Sequence, residues 1–409
     1  MNAREIRITD YTYLLPDERI ARYPLADRSA AKLLEYREGR LRTHRFRDLP
    51  ELLPEGTLLI GNQTKVIHAR LPFTLATGKP LEIFCLEPLE PTDYARSLGS
   101  TQGVRWKCLV GGNRRWKSGQ IERRVRLGDQ TVWLRAERGE RTEDAFEIDF
   151  SWGGAEVSFG ELLEAAGSIP LPPYLGRPSE AADRERYQTV FARQEGSVAA
   201  PTAGLHFTPE VMEQLAVRGV AFETLTLHVG AGTFKPVSSE TLADHPMHRE
   251  FFTVSVALLE RIVEQLRARR PIVSVGTTSM RTLESLYYFG AELLAGRPFS
   301  EQLGQWVAGD TEQDVSAEAA CRALLEALGE RGATSFRGYT QLLLTPAVRP
   351  QVVDALITNF HQPQSTLLLL VASVVGEDWR RLYARALADD YRFLSYGDSS
   401  LLWRRGTRT

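Results

Sequence analysis

Three cysteines (Cys85, Cys108 and Cys321) in 409 residues are too few and too widely spaced for a disulfide framework or a thiolate metal site. Positive charge is not in surplus either: 50 Lys and Arg against 52 Asp and Glu give a formal net charge of −2. A global basic field is thereby excluded, and any contact with nucleic acid has to rest on local patches. Long apolar runs are missing as well. The longest, 367–375, is far too short to span a bilayer, and the opening MNAREIRITDYTYLLPDE has no apolar signal-peptide core. Neither GxxxxGK(S/T) nor GxGxxG occurs, which counts against nucleoside-triphosphate and dinucleotide folds. These absences leave the expectation of a soluble cytoplasmic protein. With 43% hydrophobic residues, a chain of 409 suffices for two or three domains.

What is present is organised around residues 199–237. Thr208, Pro209 and Glu210 read as an N-cap, a proline at the first helical position and an acid in the first turn. Gly219 closes that helix, since glycine accepts a left-handed backbone just past the last turn. A strand is predicted over 221–228 from the largely alternating pattern of Phe222, Leu225 and Leu227 against Glu223, Thr224 and Thr226. Gly230-Ala231-Gly232-Thr233 follows, where glycines let a ligand approach the backbone. His206 and His228 lie one in each flanking loop.

The same arrangement of strand, small polar loop and helix recurs twice. A buried strand over 272–275 leads to Gly276-Thr277-Thr278 and a helix through 287; a strand over 352–357 leads to Thr358-Asn359-Phe360-His361 and a helix starting near Ser365-Thr366. In an open α/β sheet ligands collect at the carboxyl ends of strands, so His206, His228, His361 and the Thr277-Thr278 loop are expected around one cavity. Further helices are predicted from the Ser158–Glu161 capping box to Gly167, over 256–269 and over 316–328.

Between 66 and 150 the texture differs. Alternating segments at 66–73, 81–86, 105–110, 120–127, 131–136 and 145–150, with no helix between them, predict an antiparallel barrel or sandwich. Its cluster of Arg105, Lys107, Arg114, Arg115, Lys117, Arg123, Arg124 and Arg126, with Trp106 and Trp116 among them, has two readings. It is a solvated strand face with its aromatics in the core, or a surface for phosphates and stacked bases.

The recurring loops supply histidines, hydroxyls (Thr202, Thr233, Thr277, Thr278, Ser365, Thr366) and the Asn359 amide, with His248 and Glu250 from a neighbouring segment. Such a hydroxyl-rich, glycine-opened pocket suits a ribose and adenine, with histidine or carboxylate for proton transfer. The spacing of His245 and His248 invites zinc, but no second ligand pair stands out, and no metal is expected.

The motifs IPLPPY (169–174), RYQTVFA (186–192), AAPTAGLHFT (199–208), TLHVGAGTF (226–234), HPMHRE (245–250), VGTTSMRTLES (275–285), TNFHQPQST (358–366) and YRFLSYGDS (391–399) run through most of the chain. In these the sequence resembles the S-adenosylmethionine:tRNA ribosyltransferase-isomerases of queuosine biosynthesis. The resemblance implies a mixed α/β fold: a larger α/β domain over 1–64 and 156–409, with a smaller antiparallel β-barrel domain inserted over 65–155. It also implies that S-adenosylmethionine is a consumed ribosyl donor, with no separate cofactor. The partner is the anticodon stem-loop of a tRNA carrying 7-aminomethyl-7-deazaguanine at the wobble position. The oligomeric state stays open.

Carried onto the matching motifs, the resemblance implies proton transfer by His206, His248, His361 and Glu250, with the base role given first to His206. Substrate contacts are expected from Thr202, Gly204, His228, Gly230, Gly232, Thr233, Phe234, Gly276, Thr277, Thr278 and Arg281. Further contacts are expected from Thr358, Asn359, Phe360, Ser365, Thr366, Tyr396 and Asp398. The chain departs from the family at Gln63, Lys65, His68, Gln362 and Gln364, where Asp, Arg, Pro, Leu and Lys are usual. Those departures leave room for a paralogue with another acceptor, or for an RNA-binding protein that retains the fold without catalysis.

Overall fold

The computed structural model of the protein describes residues 2–142, 144–153, 156–230, 239–311 and 315–406. In chain order its strands are β1 (Lys32–Arg37), β2 (Arg40–Arg45), β3 (Leu58–Asn62), β4 (Thr64–Val66), β5 (Arg70–Thr74), β6 (Pro80–Glu90), β7 (Gly103–Gly111), β8 (Gln120–Leu127) and β9 (Gln130–Thr142). The remainder are β10 (Ala145–Ser151), β11 (Gln194–Ser197), β12 (Ala221–Leu227), β13 (Glu250–Ser255), β14 (Ile272–Val275), β15 (Gln302–Leu303), β16 (Ser335–Thr340), β17 (Ala355–Asn359) and β18 (Ser399–Trp403).

Ten of them form one mixed sheet, ordered β15-β16-β13-β12-β3-β14-β17-β18-β1-β2. Its centre, β12-β3-β14-β17, is parallel. β3, β14 and β17 are buried along their whole length, which is why they read as short unbroken runs with little alternation. β18 runs antiparallel to β17 and sets Ser399 opposite Asn359. The carboxyl ends of β12, β3, β14 and β17 and the amino end of β18 therefore meet along one edge.

The helices of eight residues or more among the described residues are α1 (Phe159–Ala166), α2 (Pro209–Val217), α3 (Val256–Arg267), α4 (Thr277–Leu294), α5 (Ala317–Glu330), α6 (Thr366–Val375) and α7 (Trp379–Ala388). Ser158, Thr208, Ser255, Ser316 and Ser365 each accept a first-turn amide at the N-cap of α1, α2, α3, α5 and α6. α4 is built differently. It leaves β14 through Gly276, whose φ of 91° and ψ of 154° suit only glycine, and no side chain caps it.

A second sheet, β5-β6-β7-β10-β9-β8, is antiparallel throughout, and β5 and β8 touch at its ends to give a barrel-like form. Its core takes in Phe159, Leu162 and Leu163 of α1. Trp106 and Trp116 are buried in it as well, their indole N–H groups donating to Ser97 Oγ and the Gly119 carbonyl, both at 2.9 Å. Neither indole is free to stack on a base, so of the two readings the aromatics belong to the core. The fold is thus mixed α/β with a separate barrel-like sheet. Among the described residues no helix is long and apolar enough to cross a membrane.

Candidate active site

At the shared strand edge lies a cavity, placed where small-molecule sites of α/β sheets occur. Its wall comes from residues 199–203, from Gly276, Thr277 and Thr278 after β14, from 358–362 at and just past the end of β17, and from Ser365, Thr366 and Leu367 opening α6. Tyr174, Tyr187, Val229, Leu394 and Ser395 complete it. Of the residues singled out from sequence, the cavity gathers Thr202, Gly276, Thr277, Thr278, Thr358, Asn359, Phe360, His361, Ser365 and Thr366. β14 and β17 are adjacent and parallel, and their common direction makes the segments that leave them neighbours.

His361 is the histidine that lines this cavity. Its Nε2 lies 2.8 Å from Thr358 Oγ1, and its backbone is pinned by Tyr383 OH, which accepts from His361 N at 3.0 Å, and by Tyr13 OH, which donates to the His361 carbonyl. Burial pushes the imidazole down to about 3, so the ring is neutral.

His206 does not reach the cavity. It ends a short 3-10 turn, Thr202–His206, and its ring packs 5.0 Å from Phe46. It faces a smaller hollow with Arg28, Arg392 and Tyr396 that shares Ser395 with the main cavity. Burial pulls it down to about 4; Arg392 and Arg28 add to this, and a bond to the Arg28 backbone resists. As a neutral ring it offers Nε2 to Asn359, whose Nδ2 donates across 3.3 Å. His206 thus touches the cavity only through Asn359.

The remaining sequence candidates stand elsewhere. His228 is sandwiched between Tyr94, at 4.0 Å and 6°, and Phe251, at 5.8 Å. Its Nδ1–H donates to the Gly196 carbonyl at 3.0 Å. Gly204 does not face the cavity: a Cβ there would lie 2.6 Å from the Phe191 ring, so close packing requires the glycine. Glu250 is buried between His248, 3.1 Å away, and Arg281. Burial raises its pKa, but the charges of Arg281 and His248 outweigh that and hold it below the usual carboxylate range. Tyr396 donates to Asp183, and both Asp398 oxygens accept backbone amides, from Lys32 and Arg392, each at 2.8 Å. None of His248, Glu250, Arg281, Asp398 or Gly230 lines the cavity, nor does Tyr396. Gly232, Thr233 and Phe234 lie outside the described residues. Among the described residues no group of three or more His, Cys, Asp or Glu is placed to hold a metal ion.

Tyr174 and Tyr187 were not singled out from sequence, though both sit in family-like motifs. Tyr174 OH lies 2.6 Å from Ser395 Oγ. Of the five departures, only Gln362 reaches the cavity. Gln63 bridges Thr224 and Thr226, Lys65 pairs with Glu195, His68 bonds to the Glu164 carbonyl, and Gln364 bonds to Thr12.

A mixed α/β protein with such a cavity at the carboxyl edge of its parallel strands falls among those that bind a small polar organic molecule there. Comparison with known proteins is more specific. The family described as queuosine biosynthesis protein matches residues 8–402. An S-adenosylmethionine:tRNA ribosyltransferase-isomerase of Dechloromonas aromatica is 38% identical over 402 residues, 98% of either chain. One of Pelobacter propionicus is 38% identical over 398 residues, covering 97% of this chain and 99% of its own. A crystal structure of S-adenosylmethionine tRNA ribosyltransferase from Thermotoga maritima, 29% identical, covers 96% of this chain and 99% of its own with a TM-score of 0.46. The chain belongs to the queuosine biosynthesis protein family.

Proposed function

We propose that this protein is a cytoplasmic S-adenosylmethionine:tRNA ribosyltransferase-isomerase. It moves the ribosyl part of S-adenosylmethionine onto the aminomethyl nitrogen of 7-aminomethyl-7-deazaguanine at the tRNA wobble position. It then isomerises that part to the epoxycyclopentanediol, and adenine and methionine leave. The observation that carries this reading is the identity of 38% with a ribosyltransferase-isomerase over 98% of both chains. S-adenosylmethionine is consumed, and no further cofactor is invoked.

The chemistry matches what lines the cavity. The sulfonium acidifies the protons on the ribose 5′ carbon, so one placed base can generate an ylide; adenine leaves more readily if protonated. His361 and Thr358 are the groups we assign to proton transfer, an imidazole and a hydroxyl 2.8 Å apart at the cavity wall. His206 takes the role of positioning Asn359. Residues 65–155 act as an inserted unit whose exposed Arg114, Arg115 and Lys117 meet the anticodon stem-loop.

The test is to incubate the protein with S-adenosylmethionine and an anticodon stem-loop bearing the aminomethyl base, and to look for adenine and methionine. Their release, dependent on the modified base, is the expected outcome. Tight binding of the stem-loop with no release of either product would instead favour an RNA-binding protein without catalysis.

A further inference from the structure

The cavity wall where α4 begins carries hydrogen-bonding groups that the described protein does not use. Gly276 occupies the N-cap with no side chain to accept the first-turn amides, so the positive end of an 18-residue helix opens there. Thr277 and Thr278, each 8% exposed, line the cavity, and neither hydroxyl bonds to another described residue. A second feature comes from a different element. Asn359, at the end of β17 and 2% exposed, has no hydrogen-bond partner for Oδ1 among the described residues. Its Nδ2 donates to His206 Nε2, so Oδ1 is the atom of this amide left without a partner among the described residues. The two features are neighbours because Gly276 N donates to the Ile357 carbonyl at 2.8 Å, tying the start of α4 to β17.

We infer that this wall binds the α-amino-acid end of a small zwitterion. The carboxylate meets the Thr277 and Thr278 hydroxyls and the first amides of α4, and the ammonium meets Asn359 Oδ1. On the functional reading above, on which this inference rests, the zwitterion is the methionyl part of S-adenosylmethionine. The charge balance supports that occupant. Among the described residues the groups placed to hold the carboxylate are a helix end and hydroxyls, with no Lys or Arg in the cavity lining. A full cation at the same place would repel the sulfonium that the ligand carries a few bonds away.

Equilibrium binding to the full chain, with S-adenosylmethionine and with its decarboxylated analogue, tests the assignment. Wild type is expected to favour S-adenosylmethionine by about 10–100-fold, the range for charge-assisted hydrogen bonds to one group. The double variant Thr277→Val, Thr278→Val should lose most of that preference while its affinity for the decarboxylated analogue changes little. Equal affinity of wild type for the two ligands, or equal loss of both in the variant, overturns the subsite and leaves the functional reading standing. A variant that keeps its affinity for S-adenosylmethionine but loses the anticodon stem-loop also overturns it, because the anion is then an RNA phosphate. Failure of wild type to bind S-adenosylmethionine at all removes the functional reading and the subsite together. The comparison of two ligands on one wild-type protein needs no substitution, so misfolding of the variant cannot mask the result.

Discussion

His361 and His206 are both neutral imidazoles near Asn359, and they differ in what their rings can touch. His361 lines the cavity beside Thr358, whereas His206 is separated from it by the Asn359 amide. Replacing His361 with Ala is therefore expected to slow adenine release by about 10²–10⁴-fold, the usual worth of a positioned acid or base. Affinity for S-adenosylmethionine should stay near normal, because the group acts mainly in the transition state. His206→Ala loses one hydrogen bond to a positioning amide, worth about 1 kcal/mol, and should weaken substrate binding about fivefold with a smaller effect on turnover. Single-turnover assays and direct binding on the two variants separate these outcomes; a larger turnover loss for His206→Ala would reverse the assignment. Sequence alone favours His206, since it stands just before a helix N-terminus in a long motif. Spacing along the chain cannot reveal that Asn359, more than 150 residues later (|i−j| = 153), stands between that ring and the cavity.

At the scale of elements, local signals are legible and distant pairings are not. Thr208, Ser158 and Ser365 begin helices because an N-cap depends only on the residues that follow it. The strands predicted over 221–228, 272–275 and 352–357 occur as Ala221–Leu227, Ile272–Val275 and Ala355–Asn359; Gly276 follows the second directly, Thr358 and Asn359 belong to the third and not to its loop, and the loop predicted after the first lies outside the described residues from 231 on. β13, β16 and β18 are not among the strands read from the sequence, and no pairing is legible there, as with Glu250 opposite Thr340 and Asn359 opposite Ser399, since partners far apart in the chain leave no local pattern. β18 matters most, for its amino end helps close the cavity edge. The start of α4 offers one prediction here: Gly276→Ala forces a side chain into a backbone region open only to glycine. It should cost about 1–3 kcal/mol in a urea titration. The barrel offers another. Arg114, Arg115 and Lys117 are exposed, and no carboxylate among the described residues pairs with them, unlike Arg105 and Lys107, which pair with Asp149 and Glu87. Changing the three to Ala should weaken binding of the anticodon stem-loop and reduce the slope of log K against log salt by roughly 0.7–0.9 for each phosphate no longer neutralised. An unchanged slope would make them a solvated face.

At the scale of the whole molecule, His228 links the two sheets. Tyr94 lies between β6 and β7 of the barrel-like sheet, and it stacks on a ring just past β12 of the larger one. Burial drives this imidazole down to about 4, against the smaller upward effects of the Gly196 carbonyl and Asp93. The sign follows directly. A histidine normally titrating near ~6.5 takes up a proton in the unfolded chain before it does so in the fold, so protonation favours unfolding as pH drops. The stabilising effect of the neutral ring is complete above about 6.5 and is lost progressively as pH falls toward the folded value. For a ring held at about 4, the loss between pH 7.5 and 5 is about 2 kcal/mol. Other groups shift over the same interval: His206, His361 and His245 in the same direction, and Glu284, raised by burial, in the opposite one. A comparison between proteins that differ at one ring cancels those effects. His228→Phe keeps the aromatic sandwich, loses the bond to Gly196 and cannot be protonated. It should be less stable than wild type at pH 7.5, by about 1 kcal/mol for the missing hydrogen bond. Its stability should then fall about 2 kcal/mol less than that of wild type on going to pH 5, so the two curves cross. Urea midpoints for both proteins at the two pH values measure this, and parallel curves would mean that the ring between the sheets does not titrate as its burial requires.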